Sequence, residues 1–382
     1  VKAAIRQLLQ RPAGGVNVWQ YTEALGSNRY SATNATKVAG DSVSYNGITL
    51  SRLSSANFFG SISTNFGGLG LAPFVAGQRY LMSYYVMNAG AIEQFFWMRA
   101  LSGGNLGHGS KLVVPNTVRR VWQVVHALTT SSLTKVTTPT TALGSEAAEN
   151  SWYQQGTLDS GAASLDMYIG GFQLEPISST YKDGIAMIGD STMAGSSAKV
   201  DFTSAREVSN WLGALLNVNV FNRAVGGETT DTMDARWATD ITPLAVNCKY
   251  AVIQGGINDI ATGRALIDIQ ASITSMVNKA TSDGLTPVVF NCTPTSTIAA
   301  DGTMEAKRVA LNAWIAATFP MYVDIATAVA NPANQSVLNP AWVGDGVHYT
   351  AAGKRIAGYA AAGASFWGFV RPTNYRRVLG QP

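Results

Sequence analysis

At Tyr181 the sequence changes its period. Downstream, short apolar runs alternate with stretches whose apolar residues recur every three to four positions. Ile185–Ile188, Val218–Phe221, Ala251–Gln254, Pro287–Phe290 and Met321–Asp324 read as strands. Val208, Trp211, Leu212, Leu215 and Leu216 share one helical face, and so do Leu266, Ile269, Ile273, Met276, Val277 and Ala280. Met304–Phe319 and Thr350–Phe369 predict two further helices. Ser204-Ala-Arg-Glu207 has the form of a capping box ahead of the first helix, and Gly284 stands where a helix would end. Strands alternating with helices require a parallel sheet covered on both faces. Five strands joined by right-handed crossovers predict a three-layer, flavodoxin-like α/β domain, with its site beyond the carboxyl ends of the strands.

Upstream, from Val16 to about Tyr181, the pattern is all-β. Tyr80–Met87, Gln94–Arg99, Val118–Leu128 and Leu165–Leu174 are rich in aromatic and β-branched residues. Clusters such as Asn88-Ala89-Gly90 and Ser102-Gly103-Gly104-Asn105 separate them. Many short strands punctuated this way predict a β-sandwich. Ser131–Gly161, rich in Thr and Ser, predicts a long loop with one or two weak strands. Residues 1–12 predict a short helix with Val1, Ile5, Leu8 and Leu9 on one face, ended by Pro12 and Gly14-Gly15. It reads either as a linker remnant or as the last turns of an oligomerising helix. The expected organisation is a helix or linker over 1–14, a β-sandwich over 15–178 and an α/β domain over 179–382.

Composition narrows the classes of function. Charged residues make up 13% of the chain against 46% hydrophobic, and disordered chains have the opposite balance. The net charge of +4 is carried by the N-terminal 180 residues, without a Lys/Arg run. A nucleic-acid partner is therefore not expected. No stretch has the roughly 18 apolar residues of a membrane span; Ile356–Val370 is Ala/Gly-rich and reads as a buried helix. Abundant Gly, Ser, Thr and Asn fit an extracellular or virion protein. The chain opens at Val1, which reads as a fragment or processed product, so the missing leader does not exclude export. Cys248 and Cys292 are the only cysteines, and His108, His126 and His348 the only histidines. Free thiols are expected, with neither a zinc site nor a cofactor. His108 and His126 read as surface or satisfied core residues.

Four polar clusters follow the strands or occupy the last loop of the α/β half. They are Gly189-Asp190-Ser191-Thr192-Met193-Ala194-Gly195, Asn222-Arg223-Ala224-Val225-Gly226-Gly227-Glu228-Thr229, Gly255-Gly256-Ile257-Asn258-Asp259 and Asp345-Gly346-Val347-His348. The topology brings all four to one rim. A serine hydroxyl needs a base to take its proton, and His348 is the one histidine in this half. Asp345, three residues earlier, can hold the imidazole tautomer. Ser191, His348 and Asp345 are thus a candidate triad. The N–H groups of Ser191 and Gly227 with the Asn258 amide are a candidate oxyanion hole. Asp190 and Asp259 read as acceptors that brace loops, and Gly256 belongs to the same support. Paired-carboxylate glycosidase chemistry could use Asp190 with Asp345, but would leave Ser191 and Asn258 without a role.

These blocks resemble those of the SGNH (GDSL-like) hydrolase superfamily: Gly-Asp-Ser with Gly195, the glycine block, Gly256-Ile257-Asn258-Asp259, and Asp345-x-x-His348. The resemblance implies Ser191 as nucleophile, Gly227 and Asn258 as oxyanion donors, His348 as base and Asp345 as its orienter. Glu228 departs from it, since relatives often carry Asp or a small residue there, which leaves the choice between Gly226 and Gly227 open. Upstream, Arg79–Tyr85, Trp122–Val125 and Met167–Glu175 resemble jelly-roll carbohydrate-binding modules. Gly171–Pro176 is similar to strands that end such modules in phage tail proteins. Together the resemblances imply a serine esterase removing O-acetyl groups from a polysaccharide, as a phage tail fibre or tailspike acting on bacterial surface glycan, with a possible homotrimer. The alternatives are a secreted bacterial carbohydrate acetylesterase, a lipase or thioesterase, and a non-catalytic receptor-binding protein.

Overall fold

The structure is a computed structural model. It describes residues 180–182, 184–194, 207–216, 218–342 and 345–369, and upstream the strands given below with short flanking segments. The expected helix over 1–12 and Ser204 lie outside the described residues. Contacts divide the chain into two units, one built on the residues up to Tyr181 and the other on Lys182–Leu212 and Val220–Gly368.

The first unit carries two antiparallel sheets. In one, the order is Leu133–Lys135, Val118–Ala127, Arg79–Asn88, Leu165–Pro176, Ile48–Ser55 and Thr36–Tyr45, with Trp19–Tyr21 also on Leu165–Pro176. In the other, it is Tyr30–Thr33, Gly60–Asn65, Ser151–Leu158, Gln94–Ala100 and Lys111–Val113. Alternation sets the faces. Met167 and Ile169 are buried, whereas Asp166 and Tyr168, one residue out of phase, gather with Arg52 and Asp41. Ser151–Leu158 corrects the expectation of weak strands. It pairs on both sides, with Gly60–Asn65 and Gln94–Ala100, and so occupies the middle of its sheet. Trp152 and Tyr153 supply the β propensity that the surrounding Thr/Ser texture conceals.

The second unit holds a five-stranded parallel sheet. Its strands are β1 (Gly184–Ile188), β2 (Asn219–Asn222), β3 (Cys248–Gln254), β4 (Thr286–Phe290) and β5 (Tyr322–Val323), in the order β2-β1-β3-β4-β5. This is the flavodoxin-like order. All of β1 and nearly all of β3 are buried, as expected for a sheet covered on both faces. The helices are α1 (Ser191–Ala194), α2 (Val208–Leu216), α3 (Thr230–Ala235), α4 (Trp237–Asp240), α5 (Ile257–Ala261), α6 (Leu266–Ser282), α7 (Ser296–Ala299), α8 (Gly302–Thr318), α9 (Ile325–Val329) and α10 (Ala351–Gly363). Ile269, Ile273, Met276 and Ala280 of α6 join Leu311 and Ile315 of α8 in the main core cluster with Ala186, Ile253 and Val289 of the sheet. Trp211 of α2 packs so closely on Gly358 of α10 that no Cβ would fit there.

Three local expectations are corrected. Glu207 precedes α2 instead of standing inside its first turn. Its carbonyl accepts the Trp211 N–H, and its carboxylate bonds Lys354 Nζ at 2.9–3.0 Å. A buried ion pair thus takes the side chain that a capping box would use. Helix α10 ends at Gly363 instead of Phe369, because Trp367 turns back to donate its indole N–H to the Ala361 carbonyl at 2.7 Å and packs edge-on against Tyr250. Cys248 opens β3 instead of preceding it. Neither it nor Cys292 forms a disulfide and both are buried, and burial pushes the Cys292 thiol up. Gly284 does follow α6 with φ +71°, past Asp283.

Candidate active site

The site is built at the carboxyl ends of β1, β2 and β3. The chain turns sharply after β1, and Asp190, fully buried, sits at the turn. Its Oδ1 accepts the Thr192 N–H at 2.9 Å and the Thr192 hydroxyl at 2.7 Å, which pins the first turn of α1 and presents Ser191. Burial pushes the Asp190 carboxyl up to about 6, against the opposing effect of the Thr192 hydrogen bonds.

His348 reaches Ser191 from the loop before α10, across 157 residues of sequence. Its Nε2 is 2.9 Å from Ser191 Oγ, and its Nδ1 is 2.7 Å from Asp345 Oδ2. With the proton on Nδ1, the ring donates to Asp345 and offers Nε2 to the serine hydroxyl. Asp345 Oδ1 meanwhile accepts the N–H groups of Val347 and His348 at 3.0 and 2.8 Å. The His348 side chain, followed by these two N–H groups, holds the Asp345 carboxyl well below the usual carboxylate range. The loop bends at Gly346, whose φ is +88°. The Gly346 carbonyl accepts both the N–H and the hydroxyl of Ser296 at 2.9 and 3.1 Å. Ser296 escaped the sequence reading, whereas Gly346 stood within the fourth polar cluster, where the Asp-Gly step signals a turn. The Asp345 and His348 side chains are 60% and 45% exposed, so this part of the site is open to solvent.

The loop after β2 also reaches the serine. Gly226 faces the serine: a Cβ on it would be 3.7 Å from Ser191 Cβ. Gly227 follows with φ +79°, a conformation that favours glycine. Among the described residues, the N–H groups of Ser191, Gly226 and Gly227 donate to no protein acceptor. Asn258, in the first turn of α5, donates one amide hydrogen to the Glu228 carbonyl at 2.8 Å. The structure therefore brings Ser191, His348, Asp345, Gly227 and Asn258 to one rim and adds Gly226 beside them.

Beneath this rim, Asp259 is fully buried and accepts the N–H and hydroxyl of Thr230 at 3.0 and 2.8 Å and Arg264 Nη1 at 2.6 Å. Arg264 also bonds Thr230 Oγ1 and Ser272 Oγ. Asp259 thus ties the start of α3 to the start of α5. Gly256 has φ +111°, and a methyl there would stand 2.6 Å from Leu311 Cδ2. Arg264 had no sequence signal, since its partners come from three separate elements.

A doubly covered parallel sheet whose serine, histidine and aspartate meet at its carboxyl edge has the architecture of a serine hydrolase. Residues 187–356 match the GDSL-like Lipase/Acylhydrolase family model, and this part of the chain is a GDSL-like (SGNH) acylhydrolase domain. An uncharacterized lipoprotein of Bacillus subtilis, YqeF, is 27% identical over 125 residues, 30% of this chain and 49% of that protein. The chain thus spans about half the length of this curated relative. A putative lipolytic protein of the G-D-S-L family from Desulfitobacterium hafniense is 21% identical with a TM-score of 0.41, over 47% of this chain and 98% of that one. Axe2, an acetylxylan esterase from Geobacillus stearothermophilus, is 20% identical with a TM-score of 0.38, over 47% of this chain and 91% of that one.

Proposed function

We propose that the α/β domain is a serine esterase that removes O-acetyl groups from a polysaccharide through an acyl-enzyme. The observation that carries this reading is the continuous chain from Ser191 Oγ through His348 to Asp345, at 2.9 and 2.7 Å. Ser191 attacks the ester carbonyl while His348 Nε2 takes its proton, and Asp345 stabilises the imidazolium that forms. The tetrahedral oxyanion is met by the N–H groups of Ser191 and of Gly226 or Gly227, and by the free amide hydrogen of Asn258. His348 then gives that proton to the departing sugar oxygen, which leaves as a hydroxyl, and water, activated by the same base, releases acetate.

The polysaccharide part of the proposal rests on the open histidine side of the site and on the resemblance of residues 15–178 to jelly-roll carbohydrate-binding modules. On that resemblance the upstream half binds glycan, and the protein works extracellularly or on a virion as part of a phage tail, with the N-terminal helix joining copies into a trimer. Acetate release is the test. The protein is offered acetyl, butyryl and octanoyl esters of one alcohol, and acetylated bacterial polysaccharides. Preference for the acetyl ester with acetate released from polymer is the expected result. Preference for octanoyl would make it a lipase. Inertness towards every ester would make it a binding protein.

A further inference from the structure

Glu228 is the residue at which the glycine block departs from the SGNH pattern, and the structure gives it two attachments. Its carbonyl accepts an amide hydrogen of Asn258 at 2.8 Å. Its carboxylate is held by Arg236, with Nε at 2.9 Å from both oxygens and Nη2 at 2.6 Å from Oε2. Arg236 also bonds Asp240 Oδ2 at 2.7 Å. The Glu228 and Arg236 side chains are only 17% and 16% exposed, so solvent competes weakly for the pair.

A carboxamide nitrogen has two hydrogens. The Glu228 carbonyl takes one, and among the described residues the other has no acceptor. Because the amide is planar, fixing one hydrogen fixes the direction of the other. We propose that Glu228, clamped by Arg236, is a positioning residue that orients the Asn258 amide toward the developing oxyanion. The planar fork of Arg236 suits this because it fixes direction as well as distance. This inference rests on the serine-esterase reading.

The test is steady-state kinetics on a small acetyl ester with Arg236→Ala, Arg236→Lys, Glu228→Gln, Asn258→Ala and the double variant Arg236→Ala/Asn258→Ala, each checked for an unchanged melting curve. Asn258→Ala is expected to lower kcat about a hundredfold, as loss of one oxyanion donor does. Arg236→Ala is expected to lower kcat about tenfold with KM and the shape of the pH profile unchanged. Glu228→Gln, which keeps one side-chain oxygen to accept from Arg236, should lose less. In the Asn258→Ala background, Arg236→Ala should cost less than about twofold, because the group it orients is gone. The same factor in both backgrounds, or no loss in either, overturns the proposal. Should Arg236→Ala not fold, Arg236→Lys carries the same cycle, since a lysine cannot reproduce the fork. Ser191→Ala in the same assay separates the two failures: an active Ser191→Ala sinks the esterase reading, whereas an inactive one beside a fully active Arg236→Ala sinks this inference alone.

Discussion

Each half of the molecule gathers charged side chains around one arginine, at different depths. Upstream, Arg52 bonds Asp41 and Asp166 at 2.7 Å, with the three side chains 24–34% exposed. The hydrogen bonds that Arg52 donates to Asp166 and Asp41 raise its guanidinium above the usual range. Downstream, Arg264 meets a carboxylate, Asp259, that is 0% exposed, together with two hydroxyls. A surface cluster gains little because water screens it. A buried carboxylate is tolerated only when its lone pairs are met, so Asp259 demands that Thr230 and Arg264 stay where they are. The depth of the charge therefore separates a sheet surface that tolerates change from a scaffold that holds loops in register.

The sharpest way to break this contrast is at the nucleophile. Ser191→Ala should cut turnover of an activated acetyl ester by at least about a thousandfold with the melting temperature unchanged; near-parental turnover would remove the catalytic assignment. Next comes Gly256→Ala, which forces a side chain into a φ of +111° and against Leu311. A loss of about 4 kcal/mol is expected from strain and overpacking together. Urea unfolding measures it, and a loss under about 1 kcal/mol would mean the loop relaxes freely.

Asp190 gives a pH-dependent effect of intermediate size. Its folded carboxyl is pushed up to about 6 from 3.8, so between these values the folded state binds the proton more readily than the unfolded one. Its contribution to stability is favourable at low pH and is lost as pH rises through about 6. Asp190→Asn does not titrate and lacks this slope. Relative to the variant, the parent should gain roughly 2 kcal/mol between pH 7.5 and 4.5, read as diverging melting temperatures. Parallel profiles would contradict the burial cause. The smallest effect belongs upstream: Arg52→Ala should cost under about 1 kcal/mol and leave turnover of the small ester unchanged. A large kinetic loss there would erase the distinction between the halves.

The alternation of strand and helix was legible because it depends on spacing along the chain. Apolar period and the helix stop at Gly284 are local properties of the chain. The four polar clusters were legible for the same reason, three following strand ends and the fourth lying in the loop before the last helix. Short-range reading failed where a distant partner outbid a near one: Lys354 took Glu207 from its capping role, and Trp367 ended α10 early.

The α/β alternation after Tyr181 and the candidate residues Ser191, Asn258, Asp345 and His348 could all be read along the chain. It took the packed molecule to show that Gly226 faces Ser191, that Ser296 anchors Gly346, and that the Glu228 carbonyl, on a residue held by Arg236, meets Asn258. The physical reason is reach. Hydrophobic period and turn chemistry act over a few residues, whereas the direction of a hydrogen bond between loops depends on how whole helices pack against the sheet between them.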